Sequence, residues 1–155
     1  MTVEPGREAP DLELRNQFGE QVRLSSYRGR NNVLLVFFPK AFTPTCTGEL
    51  GEIRDRLESL GDATVVLGVS CDTEAALRVY AEQEGYPFDL LSDFWPHGEA
   101  ARRYGVFLED RGFALRGTFL IDRDGVVRWS VVNGPAEARS TTDYVAALAA
   151  LRGPG

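Results

Sequence analysis

The chain has 155 residues, of which 43% are hydrophobic and 26% charged, the balance of a folded protein with a packed core. Its 23 acidic and 17 basic residues give a net charge of -6, which argues against general affinity for nucleic acids or anionic membranes. The longest apolar run, VLLVFF at 33–38, is far shorter than the ~20 residues that cross a bilayer. We therefore expect one cytoplasmic domain over residues 1–155, with small molecules or proteins as partners.

Only two cysteines are present, Cys46 and Cys71. They are too few for a disulfide framework, and neither belongs to a CxxC motif or to a Cys/His cluster of the kind that binds zinc. The only histidine, His97, cannot build a metal site without acidic partners. We expect thiols that are free, transiently oxidised or buried, and no metal or other cofactor.

The first half of the chain alternates predicted strands and helices. Apolar and polar residues alternate over 9–24 around a glycine, which predicts an amino-terminal hairpin. The apolar runs at 33–38 and 64–69 are typical of strands covered on both faces of a sheet. Apolar residues recur at helical spacing over 50–60, and a second helix is predicted to begin near Asp72 and to stop at Gly85. This order predicts a βαβ unit with a parallel layer.

The second half predicts a different order of elements. A short strand at 88–93 and a short helix at 99–104 come first. Two β-rich runs around the turn DRDG then predict an antiparallel hairpin over 118–132, and a helix over 140–151 closes the chain. A βαβ half followed by a ββα half predicts an α/β thioredoxin-like fold, in which helices flank a central mixed sheet preceded by the hairpin.

The stretch FFPKAFTPTC, residues 37–46, places a thiol at a predicted helix start. Thr43 is a favourable N-cap, Pro44 fits the first helical position, and Cys46 then falls in the first turn. Free N–H groups and the helix dipole at this end favour a thiolate over a neutral thiol. Cys46 is thus a candidate reactive cysteine, although free cysteines are also commonly small buried hydrophobes.

Five residues carry a resemblance to a known family. Pro39, Thr43 and Cys46 stand as P-x-x-x-T-x-x-C, followed by Glu49 and, later, by RGTFLID, which begins at Arg116. This pattern resembles that of the peroxiredoxins, the thiol peroxidases with a thioredoxin fold. The stretches NNVLLVFFPKAFTPTCTGEL, LLSDFWPHGEAARRYGVF and RGTFLIDRDGVVRW are most similar to the actinobacterial one-cysteine group named alkyl hydroperoxide reductase E. The resemblance spans essentially the whole chain.

The resemblance implies a role for each of the five residues. The Cys46 thiolate would attack a peroxide oxygen and become a sulfenic acid. Arg116 would donate hydrogen bonds to thiolate and peroxide, and Thr43 would turn its hydroxyl toward both. Pro39 would shield the site from water, and Glu49 would orient arginine side chains. Taken one at a time, four of them have ordinary explanations: Arg116 as a surface cation, Thr43 as a helix cap, Pro39 as a strand stop and Glu49 as an exposed helix residue.

The resemblance also implies substrates and partners. The substrates would be hydrogen peroxide, organic hydroperoxides and peroxynitrite. Some such proteins use a second cysteine to resolve the sulfenic acid as a disulfide, and Cys71 is a candidate for that role. Its position does not match the positions of known resolving cysteines, so we favour its interpretation as a small residue in a strand-to-helix turn. An external thiol would then reduce the sulfenic acid, either mycothiol with a mycoredoxin or a thioredoxin-type protein. The chain would form a homodimer or a higher assembly.

Two other functions fit parts of the sequence. A disulfide reductase on the same fold would need the CxxC motif that is missing here. A peroxide sensor would use the same oxidisable Cys46, but it would oxidise once and change the binding of a partner instead of turning over.

Overall fold

The protein is described by a computed structural model that covers residues 2–152. The central sheet contains β1 (Glu13–Arg15), β2 (Gln21–Arg23), β3 (Asn32–Phe37), β4 (Thr64–Ser70), β5 (Asp89–Ser92), β8 (Arg116–Ile121) and β9 (Val127–Asn133). The short strands β6 (Phe107–Leu108) and β7 (Phe113–Ala114) pair separately. The helices are α1 (Pro44–Asp55), α2 (Leu57–Leu60), α3 (Glu74–Glu84), α4 (Glu99–Arg103) and α5 (Thr141–Arg152), and a 3-10 turn covers Leu24–Tyr27.

The sheet is mixed, with strand order β2-β1-β5-β4-β3-β8-β9. Strands β3, β4 and β5 are parallel, whereas β8 is antiparallel to β3, and β1 to β5. Because the carboxyl ends of parallel strands meet at one edge, the loops that follow β3, β4 and β5 lie together there. The predicted βαβ and ββα halves and the amino-terminal hairpin are confirmed.

Strand β3 divides the hydrophobic core into two halves, because its alternate residues point to opposite faces. Leu35 and Phe37 pack on one face with Tyr104 and Phe119, and the Phe37 and Tyr104 rings lie 5.3 Å apart. Helices α1, α3 and α5 cover the other face, whose buried side chains include Leu34, Val36, Leu50, Leu77, Tyr80, Tyr144 and Leu148. Burial on both faces is the reason that β3 is a continuous apolar run.

The structure differs from the sequence prediction in two elements. The apolar residues that recur at helical spacing over 50–60 belong to two helices and not to one. The first helix ends where the Arg56 N–H is shared between the carbonyls of Glu52 and Ile53, and a second helix starts at Leu57. The β6–β7 pair was not predicted, because two-residue strands are too short to show alternation. No helix in the described part of the chain is long and apolar enough to span a bilayer. Residues 153–155 lie outside the described part, and one domain over 1–155 stays a prediction.

Helix α4 is anchored by a buried carboxylate that precedes it. Asp93 follows β5, and its two oxygens accept hydrogen bonds from the N–H groups of Ala100 and Ala101, each at 3.0 Å. The intervening Gly98 adopts a φ of 73°, a backbone conformation that favours glycine. The carboxylate therefore satisfies N–H groups at the start of α4 that have no partner within the helix.

Replacing this carboxylate should destabilise the fold. We expect Asp93→Ala to lower the free energy of unfolding by about 1–3 kcal/mol, because two buried N–H groups lose their acceptor. Urea denaturation measures this loss. Glu99→Ala, which removes an exposed ion pair with Arg103, is the matched control and should cost less than about 1 kcal/mol. Equal losses in the two variants would contradict the anchoring role.

Candidate active site

The first turn of α1 places Cys46 inside the protein. Thr43 occupies the N-cap position with extended φ and ψ, Pro44 is the first helical residue, and the Cys46 side chain is fully buried. The predicted helix start is therefore confirmed. The predicted cap is wrong in one respect, because the Thr43 hydroxyl makes no bond to the first turn and donates instead to the Lys40 carbonyl at 2.8 Å. This bond closes the loop that leads into the helix.

Arg116 reaches Cys46 from the start of β8. Its Nη1 donates to the Cys46 sulfur at 3.2 Å, and its Nε donates to the Pro135 carbonyl at 2.7 Å. Since β8 runs antiparallel to β3, its first residue lies next to the end of β3 and to the loop that precedes α1. The two side chains, 70 residues apart in sequence, thus meet in a buried contact.

Glu49, one turn beyond Cys46 on α1, joins two arginines. Its Oε1 accepts from Nη1 of Arg116 at 2.5 Å and from Nη2 of Arg139 at 2.9 Å, while its Oε2 accepts from the backbone N–H and Nε of Arg139. All three side chains are almost completely buried. The carboxylate therefore holds both guanidinium groups on the side of the site nearest α1.

Arg139 is the buried residue that sequence reasoning missed. Besides Glu49 it contacts β3 and β8, since its Nη1 donates to the carbonyls of Phe37 and Gly117 and to the Thr118 hydroxyl. The only signal in the sequence is an arginine two residues before a helix. Exposed arginines are common at such positions, so the sequence does not distinguish the buried Arg139 from a surface cation.

The cluster of Glu49, Arg116 and Arg139 carries a net positive charge. Burial alone would raise the pKa of Glu49, but hydrogen bonds and charge from Arg139, with the charge of Arg116, lower the pKa below its ordinary value of 4.5. The carboxylate is therefore ionised at neutral pH and neutralises one of the two guanidinium groups. One positive charge of the two guanidinium groups remains uncompensated by Glu49, and Arg116 places its guanidinium group against the Cys46 sulfur.

The loop between β3 and α1 is held from several sides. Pro39 is buried directly after Phe38, and its shielding role stays a prediction. The Ala41 N–H donates to the Asp72 carboxylate at 2.9 Å. The Phe42 ring contacts Tyr80 at 4.9 Å although the residue is 51% exposed.

Cys71 lies in a different environment. It is half-buried directly after β4, and both it and Cys46 are free thiols. Burial and the negative charges of Asp93 and Asp72 raise the pKa of the Cys71 thiol to about 12. A thiol of this kind is neutral at pH 7 and is a poor nucleophile.

The match to a family model places the chain among known proteins. Residues 5–130 match the model of the AhpC/TSA family. The chain belongs to the AhpC/TSA family. It is 48% identical over 147 residues to alkyl hydroperoxide reductase E of Mycobacterium tuberculosis. The aligned residues make up 94% of this chain and 96% of that relative. It is 39% identical over 132 residues to peroxiredoxin Bcp of Bacillus subtilis, with coverage of 81% and 82%.

Solved peroxiredoxin structures are similar to this one. The reduced 2-Cys peroxiredoxin of Plasmodium vivax has a TM-score of 0.88 at 26% identity and covers 97% of this chain and 82% of its own. Peroxidoxin BcpB of Mycobacterium tuberculosis has a TM-score of 0.85 at 29% identity, with coverage of 97% and 99%. The thioredoxin-like fold and the resemblance to the alkyl hydroperoxide reductase E type are confirmed. This peroxiredoxin is a thiol-dependent peroxidase, which acts on peroxides and draws electrons from a thiol.

Removing the Glu49 carboxylate should destabilise the peroxiredoxin strongly. We expect Glu49→Ala to lower the free energy of unfolding by about 3–5 kcal/mol, because two buried guanidinium groups lose their counter-charge. Urea denaturation at pH 7 measures the change. Glu58→Ala on the exposed side of α2 is the control and should leave the stability within about 0.5 kcal/mol of wild type.

The same carboxylate predicts a pH dependence. A carboxylate whose pKa is lower in the folded than in the unfolded state stabilises fully above its unfolded value of about 4.5, and this stability is lost as pH falls through the folded value. We expect the difference in unfolding free energy between wild type and Glu49→Gln to be constant from pH 7 to about 5 and to shrink below about 4. A difference that stays constant down to pH 3 would contradict the ionised state of Glu49.

Proposed function

We propose that Cys46 is the peroxidatic cysteine, which reduces hydrogen peroxide, organic hydroperoxides and peroxynitrite through a sulfenic acid intermediate. The observation that supports this most directly is the 3.2 Å contact between Arg116 Nη1 and the Cys46 sulfur in a buried site with one uncompensated positive charge. No other described cysteine has a cationic partner at such a distance, since Cys71 is surrounded mainly by carboxylates.

The proposed reaction is a displacement at oxygen. The Cys46 thiolate attacks one peroxide oxygen, an S–O bond forms, and the O–O bond breaks. The second oxygen leaves with the electron pair of that bond: hydrogen peroxide releases water and an organic hydroperoxide an alcohol after uptake of a proton, and peroxynitrite releases nitrite. The sulfur is oxidised to a sulfenic acid, and the peroxide is reduced.

Neighbouring residues would lower the barrier to this displacement. Arg116 donates hydrogen bonds to the thiolate and to the peroxide oxygens, on which negative charge develops. The Thr43 hydroxyl already donates to a carbonyl, and its oxygen has lone pairs that can accept a hydrogen bond from the peroxide. Glu49 and Arg139 position Arg116, and Pro39 limits the access of water.

An external thiol would complete the cycle. The raised pKa of Cys71 supports this, because a neutral thiol attacks a sulfenic acid slowly. The first thiol attacks the oxidised sulfur and releases water, and a second thiol resolves the mixed disulfide. We propose mycothiol with a mycoredoxin, or a thioredoxin-type protein, as the source of these thiols.

The assembly and location are part of the same proposal. The protein would act in the cytoplasm as a homodimer of single-domain chains. Exposed aromatic side chains offer apolar surface for a contact between copies, namely Phe42, Phe94 and Trp95.

One experiment tests the assigned residues. Reduced protein is mixed rapidly with one equivalent of hydrogen peroxide and followed by intact mass and tryptophan fluorescence. We expect wild type and Cys71→Ser to gain one oxygen, Cys46→Ser to gain none, and Arg116→Ala to react slower by about a hundredfold or more, because the leaving oxygen loses its donors.

The controls separate this function from its alternatives. Arg111→Ala removes an exposed arginine and should react like wild type. Loss of two hydrogens that requires both cysteines would show that Cys71 is a resolving cysteine, and slow oxidation of every variant would exclude Cys46 as a peroxidatic residue. Repeated turnover with a thiol reductant distinguishes a peroxidase from a sensor.

A further inference from the structure

The end of β9 and the residues that follow it contact Arg116. Asn133 is paired with Arg116 in the β8–β9 register, and the Pro135 carbonyl accepts from Arg116 Nε at 2.7 Å. Gly134 lies between Asn133 and Pro135 in the sequence. The segment from Asn133 to Pro135 therefore sets the position of the guanidinium group.

Asn133 and Gly134 form the single Asn-Gly pair of the sequence. Asparagine is a thermolabile residue, and a following glycine has no side chain to hinder attack by its own backbone nitrogen on the asparagine amide. An Asn-Gly pair is therefore the dipeptide most open to spontaneous deamidation. Whether a folded protein protects it depends on the hydrogen bonds of the two residues.

In this structure the pair is poorly protected. Within residues 2–152 no group accepts a hydrogen bond from the Gly134 N–H, and the Asn133 side-chain amide makes only a long contact of 3.4 Å with the Ala138 carbonyl. Both residues are half-buried, so water reaches them. The Asp124–Gly125 pair differs, since the Gly125 N–H donates to the Asp122 carbonyl at 3.0 Å.

We propose that Asn133 is a site of spontaneous deamidation that weakens the hold of this segment on Arg116. The Gly134 nitrogen loses its proton and attacks Cγ of Asn133, a C–N bond forms, and the amide nitrogen leaves as ammonia after taking up a proton. Water then adds to either carbonyl of the resulting succinimide ring and breaks one ring C–N bond. The product is aspartate or isoaspartate, and no atom is oxidised or reduced.

Either product changes the surroundings of Arg116. Aspartate places a negative charge on the strand residue paired with Arg116, where it competes with the Cys46 thiolate for the guanidinium group. Isoaspartate adds a methylene group to the main chain next to Gly134 and displaces the Pro135 carbonyl. The effect of both on the rate of Cys46 oxidation rests on the proposed function.

The structure supplies a matched control variant, Gly134→Ala. A Cβ at this position would lie 3.6 Å from the Glu137 carboxylate, an ordinary contact, and the φ of Gly134 is not in the region that requires glycine. The variant should therefore fold as wild type does, while its methyl group hinders ring closure. Asn133→Asp serves as a mimic of one product.

The test ages reduced wild type and Gly134→Ala in mildly alkaline buffer and follows them by peptide mass and by labelling with an isoaspartyl methyltransferase. We expect wild type to gain one mass unit in the peptide that contains Asn133 and to become labelled there, and Gly134→Ala to do so much more slowly. The modified fraction, separated by ion exchange, and fresh Asn133→Asp should oxidise Cys46 slower by about tenfold or more, because small displacements of a catalytic group are costly.

Two outcomes would overturn the proposal. Wild type that stays unmodified at Asn133 while an unstructured Asn-Gly peptide deamidates fully would show that the fold protects the pair. Modified protein that oxidises Cys46 as fast as fresh protein would show that the pair does not influence Arg116. The mass and labelling results need no peroxide, so a failure of the proposed function is recognised separately, as slow oxidation of fresh wild type.

Discussion

The burial of one carboxylate between two guanidinium groups is the constraint on which the site depends. A charge inside a protein is tolerated only with well-placed partners, so Glu49, Arg116 and Arg139 must be brought together or none of them can be buried. The three lie on α1, on β8 and just before α5. The ion pairs of these three residues therefore fix three separate parts of the chain relative to one another. Cys46, one turn before Glu49 on α1, is placed beside Arg116 as a result.

The sheet makes this arrangement possible. Parallel pairing of β3, β4 and β5 places their carboxyl ends at one edge, and the antiparallel β8 begins at that same edge. The loop after β3 is tied to the segment after β4 by the bond from the Ala41 N–H to Asp72. The same carboxylate accepts a hydrogen bond from the Ser70 hydroxyl at 2.6 Å. Because Ser70 is the last residue of β4, the loop that leads to Cys46 is connected to the sheet through Asp72.

The two cysteines lie in different electrostatic surroundings. Both follow strands of the parallel layer, yet Cys46 lies beside Arg116 in the first turn of a helix, whereas Cys71 lies near the carboxylates of Asp72 and Asp93. In general a nearby cation stabilises a thiolate and nearby anions disfavour it, so the proposed peroxidatic role falls to Cys46 and not to Cys71. The same residue type therefore lies in two opposite electrostatic environments within one chain.

The sequence alone determined the features that depend on neighbouring residues. Continuous apolar runs, helical spacing and the Thr43-Pro44 start predicted the strands of the central sheet, most helices and the place of Cys46, because these signals lie within one element. The tertiary structure alone decided the role of Arg139, which meets Glu49 across 90 residues. It also decided the direction of the Thr43 hydroxyl and the surroundings of Cys71. These features depend on the packing of distant segments, for which a local pattern carries no signal.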